Sequence, residues 1–222
     1  MSKKFNISDY APYILAIILF LVITYAYFPS LLEGNRIQQH DILTFKGMSK
    51  EIVDYREKTG EEPLWTNSMF GGMPAYLIST KYKGNILNRL NHFLQLGPDQ
   101  GGYLFLLLIG SFILLLALGV NPWLSIIGAI AFAFSSYNFV IMAAGHNSKV
   151  IALAYMAPLL GSIFLAFRGK RILGTALTGL FMSLQILAGH PQITYYTLII
   201  VIFFGISQLI FALREKQLKN FL

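Results

Sequence analysis

Residues 103–120 read YLFLLLIGSFILLLALGV. No charge interrupts them, and their length falls within the roughly 17 to 25 apolar residues that carry a helix across a hydrocarbon core about 30 Å thick. Five other stretches behave alike, at 11–29, 123–143, 150–167, 172–188 and 195–213. The 222 residues are 55% hydrophobic and 12% charged, against about 25% charged in an ordinary soluble domain, and mean hydropathy is +0.60. A strand or loop facing lipid would leave backbone groups unpaired at a cost of several kcal/mol each, and these runs are too long and too uniformly apolar for alternating barrel strands. The expected fold is all-α: a multi-pass transmembrane helical bundle of about six spans.

The first run follows Lys3 and Lys4, as a secretory signal would, but its apolar core exceeds a signal's and YAYFPS (25–30) lacks a small-x-small cleavage site. It reads as an anchor. Short loops rich in Lys and Arg stay in the cytoplasm. With the N-terminus inside, Lys3, Lys4, Arg168, Lys170, Arg171, Arg214, Lys216 and Lys219 are cytoplasmic, while segment 31–101 balances eight basic against eight acidic residues. Topology thus explains the net charge of +7, and without a basic, aromatic-interleaved stripe nucleic acid is not an expected partner. The chain divides into a tail and first span (1–30), an extracytoplasmic loop (31–101), five further spans (102–213) and a basic cytoplasmic tail (214–222). The absence of cysteine excludes disulfides, thiol nucleophiles and thiolate metal sites.

The large outer loop is too apolar for a disordered linker, so it should fold on the membrane surface. Phe45, Met48, Ile52 and Tyr55 share one helical face, with Lys50–Asp54 and Asp54–Lys58 pairs on the polar side. A second amphipathic helix reads over 85–96, with Ile86, Leu87, Leu90, Phe93 and Leu94 on one face; it suits anchoring or a lipid-linked ligand held at headgroup level. Between them LWTNSMFGGMPAYLIS (64–79) lacks the GK[ST] of a phosphate loop and reads as a sharp surface loop.

All four histidines, His40, His92, His146 and His190, fall on the outer face in this threading. AGH at 144–146 recurs at 188–190, one two-helix hairpin later, so both copies reach the same surface. As structure, Gly145 and Gly189 cap helices and Pro191 starts the next one; capping requires neither histidine nor Lys149. Asp41, soon after the first span and near Glu33, Arg36 and His40, can serve as a general base toward a hydroxyl within hydrogen-bond reach, or as an ordinary helix cap. There is no HExxH, HxH or paired-carboxylate motif and no G-x-S-x-G elbow, so no metal site is expected, although a divalent cation remains compatible. Ser135, Ser136, Asn138 and Gln185 interrupt the spans and suggest transport, yet no span carries a mid-membrane charge.

The run HDILTFKGMSKEIVDYREKTGEEPLWTNSMFGGMPAYLIS, with AGHNSKVIALAYMAPLL and AGHPQITYYTL, resembles the YfhO family of bacterial membrane proteins, which is similar to the GT-C class of integral-membrane glycosyltransferases. The resemblance implies a protein of the bacterial cytoplasmic membrane that moves a sugar from a polyprenyl-phosphate donor to a cell-envelope acceptor outside. It implies Asp41 as the catalytic acid-loop residue, with Glu33 as substitute. Arg36, Lys149, His40, His146 and His190 would hold the donor phosphate, and the AGH turns, including Gln192, would rim the pocket. Such proteins carry more spans, so the chain is expected to be an N-terminal portion. The other functions considered are a transporter or flippase of a lipid-linked substrate and a non-catalytic assembly protein.

Overall fold

The computed structural model describes residues 10–82, 84–97 and 99–216; Lys3, Lys4, Pro98 and Lys219 lie outside them. Among the described residues there are nine α-helices: α1 (Ala11–Tyr27), α2 (His40–Thr59), α3 (Ile86–Gln95), α4 (Asp99–Ala117), α5 (Pro122–Ala133), α6 (Ser136–Ala144), α7 (Asn147–Phe167), α8 (Arg171–Leu187) and α9 (Pro191–Arg214). The loop also holds an antiparallel pair of two-residue strands, β1 (Trp65–Thr66) and β2 (Met73–Pro74). The all-helical expectation omitted this small hairpin.

α4, α7 and α9 are each long and apolar enough to cross a membrane, and α5 with α6 makes a fourth candidate as a pair bent by 47°. α1 and α8 are apolar but shorter, at 17 residues each. The protein is therefore a helical membrane protein, with three to four candidate spans among the described residues. The run at 123–143, expected as one helix, is broken between Ala133 and Ser136. Asn138, 2% exposed, explains how the break survives in an apolar setting. Its Nδ2 donates to the carbonyls of Phe132 (2.9 Å) and Ala133 (3.2 Å), satisfying groups that a broken helix would otherwise leave unpaired. The polar residue that suggested transport is thus a structural cap. Gln185, fully buried, is likewise a tie between helices: Nε2 donates to Ala152 O (3.3 Å) on α7 and Thr197 Oγ1 (2.9 Å) on α9.

α4 and α7 form the centre. Leu104, Leu107 and Leu108 of α4 are fully buried, as are Val150 and Ala152 of α7. At Gly110 a methyl group would collide with the Ala154 carbonyl, so the absence of a side chain permits this close approach. α9 is different: only 11% of its apolar window is buried, against 72% for α4.

The loop packs differently from its apolar stripe. α2 buries Ser49, Ile52 and Arg56, whereas Phe45 and Tyr55 are 39% and 44% exposed. Arg56, bidentate to Glu62 (2.7 Å for each contact) and within 3.3 Å of the Ser79 carbonyl, ties the helix to the loop behind it. Glu51 accepts from Thr66 Oγ1 and from the backbone N–H groups of Asn67 (2.9 Å) and Ser68 (3.0 Å). These donors hold its carboxyl below the usual range, the Thr66 hydroxyl contributing most. α3 lays Leu87, Leu90 and Leu94 on the core and exposes Ile86 and Phe93. Tyr25 donates to the Leu96 carbonyl (3.1 Å) and Tyr155 to Asn91 Oδ1 (2.7 Å), fastening α3 to α1 and α7.

Candidate functional site

The end of α1 approaches the α5–α6 break through aromatic rings. Tyr27 lies 5.4 Å from Phe134 and 4.7 Å from Phe139, centroid to centroid. This contact delivers the chain after α1 to the α6–α7 corner. There Gln39, 4% exposed, donates to the Met142 carbonyl and to Asn147 Oδ1 (3.0 Å), and accepts from Asn147 Nδ2 (3.2 Å). Two amides pairing both ways make a rigid clasp.

Gly145 ends α6 with φ +102°, a conformation that side chains rarely adopt. Its position facing the clasp leaves room for the incoming segment: a Cβ there would stand 3.0 Å from Asp41 Cβ and 3.2 Å from Gln39 Cβ. Asp41, in the first turn of α2, and His146, at the N-cap of α7, meet across this corner, with Oδ2 and Nδ1 3.1 Å apart and side chains 45% and 51% exposed. Asp41 therefore does not cap its own helix; Gln39 occupies the N-cap.

The turn expected at 143–149 is shorter than read, because Asn147, Ser148 and Lys149 already belong to α7. Lys149 Nζ sits 5.3 Å above the Tyr137 ring. His190 occupies the N-cap of α9. Burial, chiefly, and then the charges of Lys149 and His146 push its imidazole below the ordinary value, with Gln192 opposing them. His190 Nε2 is shielded from solvent without a hydrogen-bond partner. His190 of the second AGH corner is therefore near His146 and Lys149 of the first. Gln192 itself donates to Tyr196 Oη (2.9 Å).

Beside the clasp is a cavity of about 310 Å³ lined by Arg36, Gln38, Gln39, Lys46, Gln100 and Asn147 with Ile37, Ile42 and Leu43. The cations Arg36 and Lys46 suit a polar anion, whereas the buried, unpartnered Gln100 Oε1 can only accept, and so calls for a donor such as a hydroxyl. Sequence reasoning found Arg36 but not Gln39, Lys46, Gln100 or Asn147; the amides of QQHD (38–41) were the available signal. Glu33 is not brought into this group: it is exposed and accepts from Asn35 (3.1 Å). His40 is exposed at the first position of α2. Among the described residues no three His, Asp or Glu side chains assemble as metal ligands.

A second cavity, of about 260 Å³, opens between α1, α3, α4, α7 and α8. Ile17, Phe93, Phe105, Ile109, Pro158 and Phe181 give it an apolar wall. No family model, curated protein or solved structure matches the chain.

Proposed function

We propose that the chain is a membrane-embedded glycosyltransferase module of the bacterial cytoplasmic membrane, with α1 and α8 as further spans and Asp41 and both AGH corners on the outer side. In this reading a polyprenyl-phosphate sugar is the donor and a cell-envelope hydroxyl the acceptor. The observation that carries it is the contact of Asp41 with His146, which lie far apart in the sequence, near Lys149 and His190. A base within reach of a hydroxyl and cations within reach of a departing phosphate are what acid–base-assisted transfer requires.

The polar cavity supports the reading because Arg36 and Lys46 can neutralise phosphate oxygens beside the Gln39–Asn147 clasp. The apolar cavity matches the chemistry of an isoprenoid tail, and α3 with its C-cap contributes Phe93, Leu94 and Leu96 to its wall.

The test is transfer by the protein in proteoliposomes, with undecaprenyl-phosphate glucose and N-acetylglucosamine as radiolabelled donors and envelope fractions as acceptor. Asp41→Asn should lower label incorporation by about 100-fold or more with insertion unchanged. Wild-type incorporation by that variant would remove the site from the mechanism, and donor crossing the bilayer unmodified would identify a flippase instead.

A further inference from the structure

The contact at the α2–α7 corner assigns different tasks to its two members. We infer that His146 Nε2 is the atom that takes the acceptor proton, and that Asp41 is a positioning residue acting through the imidazole. This inference rests on the glycosyltransferase reading and divides the labour within it.

Asp41 Oδ2 faces His146 Nδ1 at 3.1 Å. A carboxylate at that nitrogen favours the tautomer with the proton on Nδ1 and leaves Nε2 with a free lone pair. The carboxylate also stabilises the imidazolium that forms when Nε2 is protonated. Asp41 is itself fixed from behind. Its Cβ abuts Gly145, and Gln39, two residues earlier, is clasped to Asn147, the residue after His146. Both side chains of the pair are about half exposed, so an acceptor hydroxyl can reach the imidazole.

Lys149 lies one turn along the same helix, and His190, at the N-cap of α9, is the other titratable group near this corner. Lys149 Nζ lies over the Tyr137 ring.

The balanced step follows. The acceptor O–H proton passes to His146 Nε2 while the acceptor oxygen bonds to the anomeric carbon. The bond from that carbon to the donor phosphate oxygen breaks, its electron pair leaving with polyprenyl phosphate. The imidazolium, paired with Asp41, then releases its proton to solvent.

Two measurements test this. In the intact protein labelled with ¹⁵N-histidine, two-bond ¹H–¹⁵N correlations report which ring nitrogen carries the proton, and His146→Gln identifies the resonance among the four histidines. The wild type should show His146 protonated at Nδ1, reverting to the Nε2–H form in Asp41→Ala; an Nε2–H ring in the wild type would overturn the inference. In the transfer assay His146→Gln should lose about 100-fold or more, and the wild-type acid limb should lie in the imidazole range and not the carboxylate range. Transfer that survives His146→Gln but not Asp41→Asn overturns the assignment of His146 alone. No transfer by the wild type with either donor removes the enzymatic reading itself.

Discussion

Gly145 sets the spacing between Asp41 and His146 by having no side chain. Alanine there would combine a positive φ of +102° with contacts of 3.0 Å to Asp41 Cβ and 3.2 Å to Gln39 Cβ. Strain of this kind costs about 1–3 kcal/mol, so Gly145→Ala should lower the melting temperature in detergent and reduce transfer together, because the two segments are forced apart. His190 gives a second prediction. Burial and Lys149 lower its folded-state value, so the unfolded chain binds its proton more readily. The stability involved is present above the unfolded value of about 6.5 and is lost as pH falls through the lower folded value. Thermal melts of His190→Gln between about pH 7.5 and about pH 5 should therefore show a shallower acid dependence than wild type; equal slopes would detach His190 from that dependence. At this scale the titratable members of the site were legible as residue types, Asp41, His146, Lys149 and His190 standing in polar stretches that border apolar runs, and the structure brings Asp41 against His146. The Gln39–Asn147 clasp was not: amides pair by geometry, and nothing in their spacing announces a partner.

The elements were legible wherever composition alone decides them, because an apolar run of membrane length has no other stable state in lipid. The break between α5 and α6 falls beside Ser135 and Ser136, whose polarity was visible in the sequence but does not by itself distinguish a bend from a polar patch in a continuous helix. The buried amide of Asn138, bonded to Phe132 and Ala133, is what holds it. Asn138→Leu should leave those carbonyls unsatisfied and destabilise the protein by about 1–3 kcal/mol, read as a lower melting temperature with expression retained. A melting temperature at or above wild type would mean that the bend stands without its cap. The α2 stripe failed differently. Phe45 and Tyr55 look like core residues, yet Arg56 takes the inner position because Glu62 and Ser79 await it. Periodicity locates a face; it does not say which partner will claim it.

For the molecule as a whole, the threading is the claim with the widest reach, and the cysteine-free chain makes it directly measurable. Single cysteines at positions 40, 146 and 190 should react with a membrane-impermeant maleimide from one side, and a cysteine at 169, between Arg168 and Lys170, only from the other. Labelling of 40 and 146 from opposite sides would break the corner on which the site is built.

The unequal lengths of the apolar helices carry a mechanical consequence. At about 1.5 Å per residue, the 24 residues of α9 extend about 36 Å, whereas the 17 residues of α1 and of α8 reach only about 25 Å. As spans, the shorter pair would draw the surrounding leaflets inward, and α9, gripped by few neighbours, would answer the same hydrocarbon thickness by leaning. The bilayer around this protein would then be uneven, pinched on one flank and met by a tilted rod on another.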